Sequence, residues 1–166
     1  VPLPEWLVML LRDIEQSGSA NAIRLVPHVY PILECIHILG IALLVGSAIA
    51  VDLRLMGVWG RRLRVTELSN VLLPLAHLGF GLVSVSGALL FTAVARSVGE
   101  SAAAPWKFSL IGVAALNIVV FHFGIYRRIS HWDGSAKPPI QARLAGAISA
   151  VCWICVLVAG RYLAYV

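Results

Sequence analysis

Four stretches of apolar sequence, each long enough for one bilayer crossing, leave this chain few folds to choose from. The first, PILECIHILGIALLVGSAIAV, runs from Pro31 to Val51 and makes about 31 Å of helix at the standard rise, the thickness of a hydrocarbon core. The second covers residues 71–95 with Pro74 in its opening turn, the third residues 108–126 between Lys107 and Arg127, and the fourth residues 144–166. Pro31 suits the first helical position, where its missing N–H costs nothing. Inside a bilayer each backbone N–H and C=O must be bonded within the protein, so each stretch is expected as a transmembrane helix. The expected fold is all-α: a four-helix transmembrane bundle over residues 31–166, preceded by an interfacial segment over residues 1–30. A hydrophobic fraction of 60%, a charged fraction of 13% and a mean hydropathy of +0.89 lie outside the range of soluble domains, which excludes a soluble enzyme.

The net charge of +5 is not the footprint of nucleic acid, because the basic residues gather at helix ends. Arg54, Arg61, Arg62, Arg64, Arg127, Arg128, Lys137 and Arg143 follow the first and third stretches, whereas Arg12, Arg24, Arg96, Lys107 and Arg161 are scattered over the rest. The positive-inside rule then places the two richer loops in the cytoplasm and both termini outside, in a bacterial cytoplasmic (inner) membrane. Trp59, Trp106, Tyr126, Trp132, Tyr162 and Tyr165 fall near the expected interfaces. In the first 30 residues, Leu7, Leu10, Leu11 and Ile14 repeat at helical spacing before a stop expected at Gly18. That pattern predicts an amphipathic helix on the outer surface or against a partner. The start has neither the basic region nor the cleavage motif of a signal peptide, and the lack of an initiator Met points to an incomplete or processed N terminus.

Small residues recur every four positions: Ala42, Gly46 and Ala50, then Ser84, Ala88 and Thr92, then Ala142, Gly146 and Ala150. In lipid such spacing lets helix backbones approach, so Gly46 and Gly146 are expected at helix contacts. Cys152 and Cys155 form C-W-I-C, but mid-helix in a membrane they have no electropositive surroundings to make a thiolate and read as packing residues. Asp52 and Arg54, which close the first stretch, are expected to form a local or interhelical ion pair. The sequence contains no phosphate-binding loop, nucleophile elbow or hydrolytic carboxylate pair.

Ionisable groups within a membrane are costly and each asks for a reason. Glu34 and His37 lie in the first stretch, His77 in the second and His122 in the third. Measured from the stretch boundaries, His77 and His122 are about 9 Å and 6 Å from the cytoplasmic side, on consecutive antiparallel helices that are usually neighbours. Two imidazoles at one depth are what a b-type haem needs as axial ligands to its metal. Gly81 and Gly124 would leave room for the porphyrin, and Arg127 and Arg128, with Arg62 and Arg64 on the same side, would meet its propionates. Against this stands interhelical hydrogen bonding of the two histidines to neighbours such as Asn117. Glu34 and His37, one turn apart in the opposite half, form a second possible site, either facing a partner or facing a quinone.

The segments ECIHILGIALLVGSAIAVDLRLMG, NIVVFHFGIYRRISHWD and AGRYLAYV resemble an uncharacterised family of bacterial four-helix integral membrane proteins, similar in layout to copper-resistance D type membrane proteins. The resemblance covers most of residues 31–166 and implies a membrane bundle without carrying a catalytic residue. Three functions follow as expectations. The first is a b-type cytochrome-like electron-transfer protein or subunit, with haem b between the second and third helices. The second is an accessory subunit of a larger respiratory or photosynthetic membrane complex, or a homo-oligomer in the bilayer. The third is metal or ion transport, for which four helices leave little room.

Overall fold

The computed structural model describes residues 3–163, and within them the chain is helical, with no strand. Two short helices, α1 (Glu5–Glu15) and α2 (Gly18–Leu25), precede the long α3 (Val29–Leu55) and α4 (Val65–Ala93). The short α5 (Ala95–Glu100) leads to α6 (Ala103–Phe123), a 3-10 turn over Ile125–His131, and α7 (Ile140–Leu163). Helices α3, α4, α6 and α7 are long and apolar enough to cross a membrane, so the chain reads as a multi-pass membrane protein. The α3–α4 and α6–α7 loops lie at one end of the helices, the basic end, and α1, α2 and α5 at the other. The last expected residues of the fourth crossing, including Tyr165, lie outside the described residues.

Each long helix starts before its apolar stretch, because a helix continues past the bilayer wherever its polar ends are capped, whereas α4 and α6 end at Ala93 and Phe123, short of the expected ends. α4 starts at Val65, six residues before its apolar run. Its first turn is held by a distant loop: the Asp133 carboxylate accepts from Thr66 N–H at 2.9 Å and from the Thr66 hydroxyl at 2.6 Å. The Asp133 carbonyl accepts from Val65 N–H at 3.2 Å. Burial alone would raise the Asp133 pKa, but the two Thr66 bonds, with Arg64 and Val65 N–H nearby, hold it below the usual carboxylate range. A lowered folded-state value means stability that is present above the unfolded-state pKa, near 4, and lost as pH falls through the lower folded value. The unfolding midpoint of the parent should therefore drop as pH falls from about 4, and Asp133→Asn should be less stable at neutral pH with a flatter acid profile. Identical profiles for the two proteins would refute the capping role.

The N-terminal segment docks onto its own chain. α1 packs on α5 and α2 on α4, with Leu11 buried against Gly99. Arg24 of α2 donates to Ala93 O at 3.1 Å, capping the C terminus of α4, and pairs with Glu15 at 3.4 Å. Gly18 is not the end of the first helix but the start of α2, whose Ser17 cap accepts from Ala20 N–H at 3.3 Å. Trp6, Met9 and Leu10 stay exposed on α1, an apolar face suited to the interfacial zone.

The packing order of the long helices is α4, α3, α7, α6. α3 is central, and α4 and α6 share no substantial packing interface although they follow one another in the chain. The contacts are made where small residues let backbones meet. A Cβ on Gly79 would stand 2.5 Å from Leu44 N and 2.7 Å from Gly40 O, and one on Gly146 would stand 2.8 Å from Asp52 O. Ala142 and Ala150 are buried with Gly146 on α7 as expected. Gly46 is different: it is exposed with nothing within 4 Å, because α3 turns its Gly40 side, not its Gly46 side, to its neighbour. Ser84 and Ala88 are exposed as well.

At the basic end Leu55, Val65, Trp132 and Ala142 form a buried cluster with Phe121, Ile125 and Ile129 against it. Arg54 threads this end, fully buried. Its Nε donates to Leu63 O at 2.7 Å and its Nη2 to Asp133 O at 3.2 Å and Ser135 O at 3.1 Å. No Asp52–Arg54 ion pair forms, because positions two apart on a helix face different sides. Asp52 lies instead beside Ser149 of α7. Asp52 Oδ2 and Arg54 Nη1 are buried with no hydrogen-bond partner among the described residues.

Candidate functional site

His77 and His122 are not brought together. His77 is the thirteenth residue of α4, about 18 Å along it from Val65, whereas His122 is the penultimate residue of α6. Those two helix ends are level, since Phe121 packs against the cluster that holds Val65. The depths therefore differ by well over 10 Å. The lateral expectation fails too, since α4 and α6 are separated by α3 and α7 in packing order. The early start of α4 is what moves His77 toward mid-membrane. A haem ligated by this pair within one chain does not fit.

Each histidine has its own surroundings. His122 is exposed, bonds Ile118 O of its own helix at 2.9 Å through Nδ1, and lies against the Phe121 and Tyr126 rings. Gly124 ends α6, where a Cβ would meet the Val120 carbonyl of its own helix at 2.6 Å. Asn117 reaches α7, not His122, donating to Ala145 O at 2.9 Å. Arg127 stacks over Phe123 at 5.2 Å, and both Arg127 and Arg128 line an open pocket between α6, the 3-10 turn and α7, far in depth from His77. Arg62 and Arg64 are exposed.

His77 is exposed on α4, with no hydrogen bond or ion pair among the described residues. It opens into a groove of about 460 Å³ whose other walls include Leu33, Ile36, Leu78, Gly81 and Val85. Gly81, one turn on, has nothing within 4 Å of its Cβ position. A polar side chain at mid-depth without a partner costs about 1–3 kcal/mol, so something outside the chain is expected to meet it.

The second candidate pair divides. Glu34 is exposed, while His37 is half-buried and its Nδ1 lies 3.0 Å from Ser86 Oγ. The Ser86 hydroxyl has one hydrogen and donates it to Leu82 O, so it accepts from His37, and Nδ1 is the protonated nitrogen. In the neutral ring Nε2 then keeps the lone pair. Gly87 makes the approach possible, since a Cβ there would stand 2.9 Å from the imidazole Cε1. Lys107 of α6 is near enough for its charge to act on His37, and its Nζ lies over Gly160 of α7, 3.7 Å from the Cβ position. Reading the sequence missed Ser86 and Lys107, because neither is remarkable until the helices are placed. Gly87 was the available signal, an unbranched position level with His37 once α3 and α4 are antiparallel.

The three cysteines are free: Cys35 exposed, Cys152 buried and Cys155 between the two. No group of three or more His, Cys, Asp or Glu side chains is poised to hold a metal ion among the described residues. In comparisons with protein-family models, curated proteins and solved structures, nothing matched the chain.

Proposed function

We propose that the chain is a non-catalytic subunit of a larger membrane assembly, docked through the outward face of α4. One observation carries this reading. At about 100° per residue, Asn70, Pro74, His77, Gly81, Ser84 and Ala88 fall along one narrow line of the helix, spaced alternately four and three apart. All six are exposed. The residues that meet α3, Gly79 and Ser86, are on the opposite side. Toward lipid alone a helix is best covered by Leu, Ile, Val and Phe. Here those types flank the line, as exposed Val71, Leu78 and Val85 do, while the line itself is small and polar, the composition of helix contacts in membranes. Pro74, which lacks an N–H, also leaves the Asn70 carbonyl without its usual helical donor.

Electron transfer is a second reading, favoured by His77 alone. With Gly81 open beside it, His77 could help hold a b-type haem at a contact with a partner, and the haem would supply the electron transfer. Transport has less support: His37 and Asp52 are about 22 Å apart along α3 with no ionisable side chain between them on that helix.

The test is His77→Leu, examined by native electrophoresis of mildly solubilised membranes. A lipid-facing imidazole would be improved by leucine, raising the unfolding midpoint without altering particle mass. A docking residue should instead shift the protein to lower mass. A Soret band that disappears with the variant would select the second reading, and its absence the first.

A further inference from the structure

We infer that the pocket at the basic end of α6 and α7 binds the headgroup of an anionic phospholipid, one per chain, independently of what docks on α4. The pocket holds about 500 Å³ and is lined by Arg127, Arg128 and Gln141 at its mouth. The rest of its lining includes Val120, Phe121 and Ala145, apolar residues of the membrane-spanning helices α6 and α7. The local backbone creates the arrangement. Gly124 breaks α6, and Arg128 departs from helical geometry at φ −105 and ψ 22. Successive residues of a regular helix diverge by about 100°, but here two consecutive arginines line one cavity. Arg127 is steadied over the Phe123 ring at 5.2 Å. No acidic side chain lines the pocket, and neither arginine has an ion pair among the described residues.

Two uncompensated guanidiniums and an amide at a helix end fit a phosphate, which accepts bidentate bonds from Arg. A free phosphate would satisfy the same groups. The walls distinguish the two, because apolar Val120, Phe121 and Ala145 offer nothing to a free anion but can meet the start of an acyl chain. Asn117, bonded to Ala145 O at 2.9 Å, joins the two helices beside this apolar wall. Basic pockets between transmembrane helices are recognised lipid sites, and each cation near a membrane surface adds appreciable affinity for anionic lipid.

The experiment uses the full chain in detergent, titrated separately with phosphatidylglycerol, phosphatidylcholine and inorganic phosphate, with bound lipid counted by native mass spectrometry. One phosphatidylglycerol should be retained per chain, with a preference of about tenfold or more over phosphatidylcholine. Arg127→Gln with Arg128→Gln should remove most of that preference, while Arg143→Gln, which loses a charge outside the pocket lining, should retain it. Ala145→Leu keeps both charges and fills the apolar wall of the pocket, so it should weaken retention of the lipid as well. Equal retention of the two lipids, an undiminished preference in the double variant, or displacement by millimolar phosphate would each overturn the proposal.

Discussion

Replacing Arg54 with leucine should cost more stability than any other single change at the basic end, about 2–6 kcal/mol from the hydrogen bonds it strands. The side chain is fully buried and its guanidinium is the shared donor for Leu63 O in one loop and for Asp133 O and Ser135 O in the other. Leucine would leave Leu63 O and Ser135 O without a donor, each costing about 1–3 kcal/mol where no water replaces it, while Asp133 O would keep only the Val65 N–H. The Asp133 loop would be loosened with it, and that loop caps α4 through Thr66. Arg54→Lys should recover only part of the loss, since an ammonium cannot reproduce the fork that serves Nε and Nη2 together. Thermal unfolding in one detergent compares the three proteins. A leucine variant as stable as the parent would show that the loops are held by other means.

Gly79→Leu should separate α3 from α4. Even the Cβ of alanine would stand 2.5 Å from Leu44 N and 2.7 Å from Gly40 O, and both are backbone atoms that cannot swing aside. Gly40 makes the reciprocal approach, with Leu82 Cβ at 2.9 Å and Val83 N at 3.0 Å from its Cβ position. Gly79→Ala should therefore lower stability by about 1–3 kcal/mol, the usual cost of overpacking, and leucine should abolish the close pair. His37 would lose its Ser86 contact in the same event, because that bond spans the same two helices. Gly79→Ala with the parent's unfolding midpoint would refute this contact.

The crossings were legible in the sequence because bilayer thickness sets the length of an apolar run, and the amphipathic start showed in the spacing of Leu7, Leu11 and Ile14. Helix ends were not legible, since what extends α4 back to Val65 is a carboxylate 67 positions away from Thr66. Neighbour relations were not legible either. Sequential order suggested that α4 and α6 would pack together, but side-chain size decided otherwise: Gly40 with Gly79, and Gly146 with the Asp52 backbone, draw α4 and α7 onto α3. Four-residue spacing of small residues did not distinguish an inward stripe from an outward one. On α7 it packs within the chain, while Gly46 faces outward. The pairing of His77 with His122 failed for both reasons together, since it relied on the helix end and on the neighbour. His37 was visible as an intramembrane imidazole, but its hydrogen-bond partner needed the register of α3 against α4.

The mass of the assembly carrying Gly81→Leu tests docking through α4 most directly. Gly81 lies two residues from Gly79 but on the outward face, and its Cβ position has nothing within 4 Å. Leucine there leaves the α3–α4 contact untouched, so the unfolding midpoint of the isolated chain should match the parent, in contrast to Gly79→Leu. In mildly solubilised membranes the parent should appear in a particle larger than its own 17.9 kDa plus lipid and detergent, and Gly81→Leu should appear as the single chain. A single chain in both cases, or a particle of the same larger mass in both, would contradict the account.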